Sequence, residues 1–296
     1  MVWGTIIACY LFLAGLSAGA FLSSVYVEHH HPEKTRYLLV SRIVALVSVC
    51  LGLALLIVDA PGSHSNPLSL FYLLCGIKSS VMSWGVVILV FASGVQFLYV
   101  VYELMRSKDN WYTRLFLKLK KILCIVGVIA SIGLAAYTGL LIGVIKTAPL
   151  WNNALLPVLF FVSAISAGIA ASQFFGALFA RKELGGLSHL SSKHCALLFI
   201  ELALLGIMLF IVSSGNAAGA QSVALLTCGT YAPAFWLLLV LAGLLIPACV
   251  EAFMLAKNKH AGFAMVLVLE FLVLMGGFVL RLLIMKAAVP LDFLGF

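Results

Sequence analysis

The chain has 296 residues, 64% of them apolar and 9% charged, with a formal net charge of +8 and a mean hydropathy of +1.18. Soluble domains carry about a quarter of their residues as charged side chains, so this composition excludes a soluble globular domain and points to a polytopic membrane protein. The surplus of Lys and Arg is gathered in particular loops, where it reports orientation in a membrane rather than a nucleic-acid partner.

A hydrocarbon core about 30 Å thick needs roughly 20 apolar residues per helix. Eight runs qualify in chain order: 3–27, 37–58, 79–104, 122–144, 154–180, 196–213, 232–255 and 262–285. The first has no positive charge before Trp3 and is too long for a signal-peptide core, so no cleavable signal is expected. The second and third are separated by residues 59–78, whose Pro, Gly, Ser and Asn break helix, and the apolar patch Leu68–Leu74 within it is too short to span. Lys34 and Arg36, the group Arg106 to Lys121, Arg181, Lys182 and Lys193, and Lys257 and Lys259 all fall on one side of the alternating spans. The other side carries Lys78, Lys146 and Lys286, with none in 214–231. The basic side is expected to be cytoplasmic and both termini outward.

Tyr10–Gly19 (YLFLAGLSAG) lies over Leu159–Gly168 (LFFVSAISAG) at an offset of 149 residues, with Ser-Ala-Gly identical at 17–19 and 166–168. An offset near half the chain predicts two related four-helix halves, 1–146 and 147–296. Four spans per half keep them parallel, about an axis along the membrane normal. Ala14, Gly15, Ser17, Ala18 and Gly19 are small enough to let another backbone approach.

The seven cysteines (9, 50, 75, 124, 195, 228 and 249) contain no Cys-x-x-Cys pair, so no metal or iron–sulfur centre is expected in this chain. The seven histidines (29, 30, 31, 64, 189, 194 and 260) read as loop or helix-end residues, which leaves no axial ligands for a transmembrane haem. On the outer side, Asp59 closes the second span, His64 follows in the loop, and Tyr137 and Thr138 lie about two turns inside the fourth span. Tyr10 stands at similar depth, Trp151 and Asn152 precede the fifth span, and Arg281 is near the outer end of the eighth, where it could snorkel or balance Asp59. Tyr and Trp at such depths are commonly interfacial belt residues. Together, though, a carboxylate, an imidazole and phenols at one end of an apolar bundle supply what a quinone head group needs: hydrogen-bond partners and proton exchange. On the opposite side, Glu201, Glu251 and Glu270 sit within spans of the second half, where a carboxylate must be protonated, paired or hydrated. With Arg281 they are candidates for a proton pathway or for interhelical hydrogen bonding.

The sequence resembles the NrfD/PsrC-like membrane subunits of bacterial respiratory complexes. The resemblance rests on Trp3 with YLFLAGLSAGAF (10–21), LLIVD (55–59), SSVMSWG (79–85), YTGLLIG (137–143) and PLWNNALLPVLFFVSAISAGIA (149–170). It implies an all-α integral membrane fold of eight helices in two four-helix bundles, no haem, and a quinone site near the outer face of the first bundle. It also implies docking of a four-cluster iron–sulfur subunit that serves a molybdopterin catalytic subunit. By the same resemblance Tyr137 matches the quinone-contacting tyrosine and Asp59 the acidic residue closing the second helix. The family often continues Leu-Gly-Arg-Pro after that acid, whereas this chain reads Ala60-Pro61-Gly62-Ser63 and lacks the arginine. The expectation is a multi-pass subunit of the bacterial cytoplasmic (inner) membrane, bathed in lipid, that oxidises menaquinol or reduces a quinone. Asp59, His64 and Tyr137 would do the chemistry, and Tyr10, Gly15, Gly19, Thr138, Trp151 and Asn152 would line the pocket. The competing class is a secondary transporter or proton-translocating protein, which internal repeats and buried charges also fit.

Overall fold

The computed structural model describes residues 4–59, 81–106, 111–184, 188–257 and 262–291. Within them the chain forms eight long helices, each long and apolar enough to cross a membrane. These are α1 (Thr5–His30), α2 (Thr35–Asp59), α3 (Val81–Met105), α4 (Trp111–Gly143), α5 (Leu155–Phe179), α6 (Ser188–Gly215), α7 (Ala234–Ala256) and α8 (Phe263–Lys286). The chain is a multi-pass membrane protein.

Two helices start earlier than hydropathy predicts. α4 begins at Trp111 rather than 122, because Arg114, Lys118, Lys120 and Lys121 leave the apolar window but are good helix formers. α6 begins at Ser188 rather than 196, taking in His189, Lys193 and His194. The uncharged stretch after α6 holds a short helix, Ala217–Thr227, capped where Asn216 Oδ1 accepts from the Gly219 N–H at 2.7 Å. In α7 the first half, Ala234–Leu245, winds wider than an α-helix before Pro247. Pro247 has no N–H to donate, so the backbone ladder must break there.

α1 and α5 occupy the centre: two thirds of each apolar window is buried, against half or less in the other six. α1 packs on α2 and α4, with α3 between those two; α5 packs on α6 and α8, with α7 between those two; and α1 and α5 meet along their length. The meeting is backbone to backbone. A Cβ added at Gly168 would fall 2.1 Å from the Gly19 carbonyl carbon, and one at Gly19 would fall 2.1 Å from the Ala164 oxygen. Without a hydrophobic drive between helices in lipid, close packing and hydrogen bonds must hold such a contact. Serines supply the bonds: Ser172 Oγ meets Ser23 Oγ at 3.0 Å and Ser41 Oγ at 2.7 Å, tying α1, α2 and α5 together in a buried position.

Candidate functional site

Three polar constellations stand inside this apolar frame. The first lies among α1, α2, α3 and α4, in a narrow and almost wholly apolar pocket. Tyr10, Leu56, Gly85, Tyr137 and Thr138 line it, with Leu11, Ala14 and Leu134 among its apolar neighbours. Tyr10 is 5% exposed, and Thr138 turns its hydroxyl onto the Ala135 carbonyl at 2.7 Å. The Tyr137 ring lies against α3 at Gly85, where a Cβ would stand 1.7 Å from Cζ and 2.1 Å from the hydroxyl oxygen. Gly85 is therefore required for the ring to sit where it does. Leu56 lines the same pocket, and Asp59 follows it by three residues, one helical turn further along α2. The side chain of Asp59, and all of His64, lie outside the described residues.

The other pocket candidates are placed elsewhere. Gly19 is spent on the crossing with α5, and Gly15 faces Ala164 and the Arg281 guanidinium, each 3.1 Å from where its Cβ would be. Trp151 Nε1 donates to the Ile284 carbonyl at 2.9 Å, pinning the α4–α5 turn to α8, and Asn152 is exposed. The structure thus brings Tyr10, Tyr137 and Thr138 together and leaves Gly15, Gly19, Trp151 and Asn152 outside that pocket's lining.

The second constellation has no counterpart among the residues the sequence points to. Arg42, two turns into α2 and completely buried, donates to Glu103 of α3 and Glu28 of α1, and its guanidinium stacks over Tyr99 at 4.7 Å. Lys120 closes on Glu28 at 2.8 Å and Arg106 on Glu103 at 3.5 Å. Two carboxylates are matched by three cations, with an aromatic layer of Phe21, Tyr99, Tyr102 and Phe116 beneath. This locks the ends of α1 to α4 together.

The third constellation gathers the second-half carboxylates. His194 is fully buried, nearly two turns inside α6 rather than in a loop. Its Nδ1 lies 2.8 Å from Glu251 of α7 and 3.8 Å from Glu270 of α8, and its Nε2 lies 3.4 Å from Ser166 Oγ on α5. Three residues before Ser166, Ser163 accepts from Arg281 Nη1 at 3.2 Å and faces Glu201. Arg281 does not snorkel. It is fully buried, donates to its own helix at Gly277 at 2.7 Å, and sits over the rings of Phe12 and Phe160. Polar side chains of the second half therefore string along one face of α5, from Glu251 and Glu270 through His194 and Ser166 to Ser163, Glu201 and Arg281.

This arrangement of eight apolar helices, with a tyrosine-lined pocket among the first four, can be set beside known proteins. The family model described as "Polysulphide reductase, NrfD" matches residues 1–290. The chain belongs to the NrfD family. It is 32% identical over 304 residues to a chain of the polysulfide reductase of Wolinella succinogenes, covering 97% of this chain and 94% of that one. It is 30% identical over 310 residues to the NrfD homolog of Haemophilus influenzae, with the same coverage. A more distant relative is a subunit of the selenate reductase of Mesobacillus selenatarsenatis, 26% identical over 245 residues, covering 69% of this chain and 54% of that one.

Proposed function

We propose that the chain is the haem-free membrane anchor of a molybdopterin respiratory oxidoreductase in a bacterial cytoplasmic membrane, and that it exchanges electrons with a quinol, menaquinol in the first instance. The observation that carries the reading is the convergence of Tyr10, Tyr137 and Thr138 on one apolar pocket beside the end of α2. A quinone ring is flat and apolar with two carbonyl oxygens, so it suits an apolar slot with a few hydroxyls at fixed positions. In this reading Gly85 seats the Tyr137 ring at the pocket, and the ring's hydroxyl donates to one quinone oxygen. Asp59, three residues after Leu56 in α2, and His64, five residues further along the sequence, take the protons that quinol releases. Two of the relatives are named as parts of a polysulfide reductase and a selenate reductase, which supports assembly with partner subunits. Electrons leave to an outer-face iron–sulfur subunit of the four-cluster type and thence to a molybdopterin subunit. Quinone reduction uses the same contacts in reverse.

The same reading has two parallel four-helix halves, 1–146 and 147–296, about an axis normal to the membrane, with both termini outward. Residues lying on a two-fold axis meet their own equivalents. The contacts of Gly19 with Gly168 and of Ser23 with Ser172 both join positions 149 apart, the offset at which the sequence repeats. The excess of Lys and Arg on one side supports the orientation.

Isolation through a tag on this protein tests the proposal. The product should contain an iron–sulfur subunit and a molybdopterin subunit in fixed ratio, and organic extraction should release menaquinone. A protein that purifies alone, carries no quinone and concentrates a solute in vesicles would be a transporter.

A further inference from the structure

We propose that His194, Glu251 and Glu270 form a binding site for a divalent transition-metal ion of the zinc class, holding α6, α7 and α8 together inside the bundle. The proposal does not depend on the quinone reading. One atom from each residue lies within 4.8 Å of the others, and all three residues are buried. Glu251 Oε2 and Glu270 Oε2 have no hydrogen-bond partner among the described residues, although both side chains are at least nine-tenths buried. The Tyr37 hydroxyl, buried and likewise without a hydrogen-bond partner, lies within electrostatic range of Glu270. A buried carboxylate oxygen without a hydrogen bond is costly, and this site has two of them, one of which faces His194 Nδ1 at 3.8 Å.

The first half has the contrasting solution. There a basic residue about two turns into the second helix meets an acid in the last turn of the third, as Arg42 meets Glu103, and Glu28 completes the pair of carboxylates. The guanidinium neutralises them, with Lys120 and Arg106 behind it. In the second half a histidine at similar depth in α6, His194, meets Glu251 of α7, and Glu270 of α8 is the second carboxylate. Among the described residues, the positively chargeable group within 4.0 Å of those carboxylates is an imidazole. With the imidazole neutral, the cluster carries two negative charges, which one divalent ion balances.

The donor set has the right chemistry. One imidazole nitrogen and two carboxylates suit zinc and its neighbours, whereas magnesium and calcium take oxygen ligands. The second partner of the imidazole is also in place. Without an ion, Nδ1–H donates to Glu251 Oε1 at 2.8 Å. An ion that takes the place of this proton leaves Nε2–H to donate to Ser166 Oγ at 3.4 Å and turns the Nδ1 lone pair to the ion, as a histidine ligand is oriented by the bond its other nitrogen makes. Zinc–ligand bonds of about 2.0–2.2 Å place ligand atoms roughly 3.0–3.5 Å apart, so binding closes the widest of these separations by up to about 1.8 Å. A water completes the fourth position. Sequence spacing could not reveal this site, since the ligands come from three helices and are not cysteines.

The test is metal content of the purified full-length complex after incubation with zinc chloride and exhaustive dialysis, with cobalt absorbance as a second readout. Wild type is compared with Glu270→Gln and with a His29→Gln, His30→Gln, His31→Gln triple variant that removes the adventitious histidine run. The expected result is one retained zinc per protein, and visible cobalt bands of a low-coordinate site, in wild type and in the triple variant. Glu270→Gln should lose both, with at least a tenfold fall in zinc affinity. Zinc should raise the unfolding temperature of wild type but not of Glu270→Gln. No retained zinc in wild type, or zinc lost only in the triple variant, overturns the proposal and leaves the cluster as protonated, hydrogen-bonded carboxyls.

Discussion

Gly85→Ala tests the pocket without removing any polar group. The new Cβ would stand 1.7 Å from Tyr137 Cζ and 2.1 Å from Cε1 and the hydroxyl oxygen, whereas ordinary contact begins at 3.4 Å. The ring must therefore retreat by about 1.7 Å. It is the far end of a side chain, so it can move without unseating α4, and assembly of the protein should survive. Catalysis should not. A misplacement of about 1 Å in a positioned group costs roughly 100-fold, about 2.7 kcal/mol of barrier. If Tyr137 positions a quinol oxygen, Gly85→Ala should lower kcat/KM for quinol by at least about 100-fold, measured in membranes at equal complex abundance. Gly94→Ala on the same helix, where nothing lies within 4 Å of the new Cβ, should stay within threefold of wild type. Full turnover in Gly85→Ala with the complex assembled would refute the assignment of Tyr137.

The other predictions concern the frame. Arg42→Met removes the hydrogen bonds of its guanidinium to Glu103 and to the partly buried Glu28, leaving Arg106 and Lys120 to balance them, and should destabilise the protein by about 1.5–3 kcal/mol, read as a fall in unfolding temperature in detergent. Adding Glu103→Gln should restore part of the loss. Gly168→Leu drives a side chain into the α1 backbone at Gly19, where even a Cβ has 2.1 Å, and should abolish accumulation in the membrane. Gly206→Leu faces open space and should be tolerated. Trp151→Phe removes one hydrogen bond to Ile284 and should cost about 0.5–1.5 kcal/mol of stability while leaving quinol kcat/KM within threefold.

The eight helices were legible in hydropathy because lipid allows little else than long apolar helices to cross it. The starts of α4 and α6 were not, since polar residues that end an apolar window do not end a helix. That same truncation hid His194: the run Ser188 to His194 looks like loop, yet it forms the first turns of α6. Tyr10, Tyr137 and Thr138 could be picked out as polar groups at similar depth, and they do share a pocket. That Gly15 serves Arg281 and Gly19 serves the α5 crossing depends on which face of α1 each neighbour takes, which a stripe of small residues does not specify. The Arg42 cluster joins residues 14 and 61 positions apart, and a single sequence carries no sign of such pairings.

Quinol chemistry among the first four helices is tested most directly by quinol oxidation in membranes containing the intact complex. Wild type is compared with Tyr137→Phe and Asp59→Asn, with partner-subunit abundance as the assembly control. Both substitutions should suppress turnover while the partners remain bound at wild-type levels. Unchanged turnover in both variants would contradict a quinol site at this pocket.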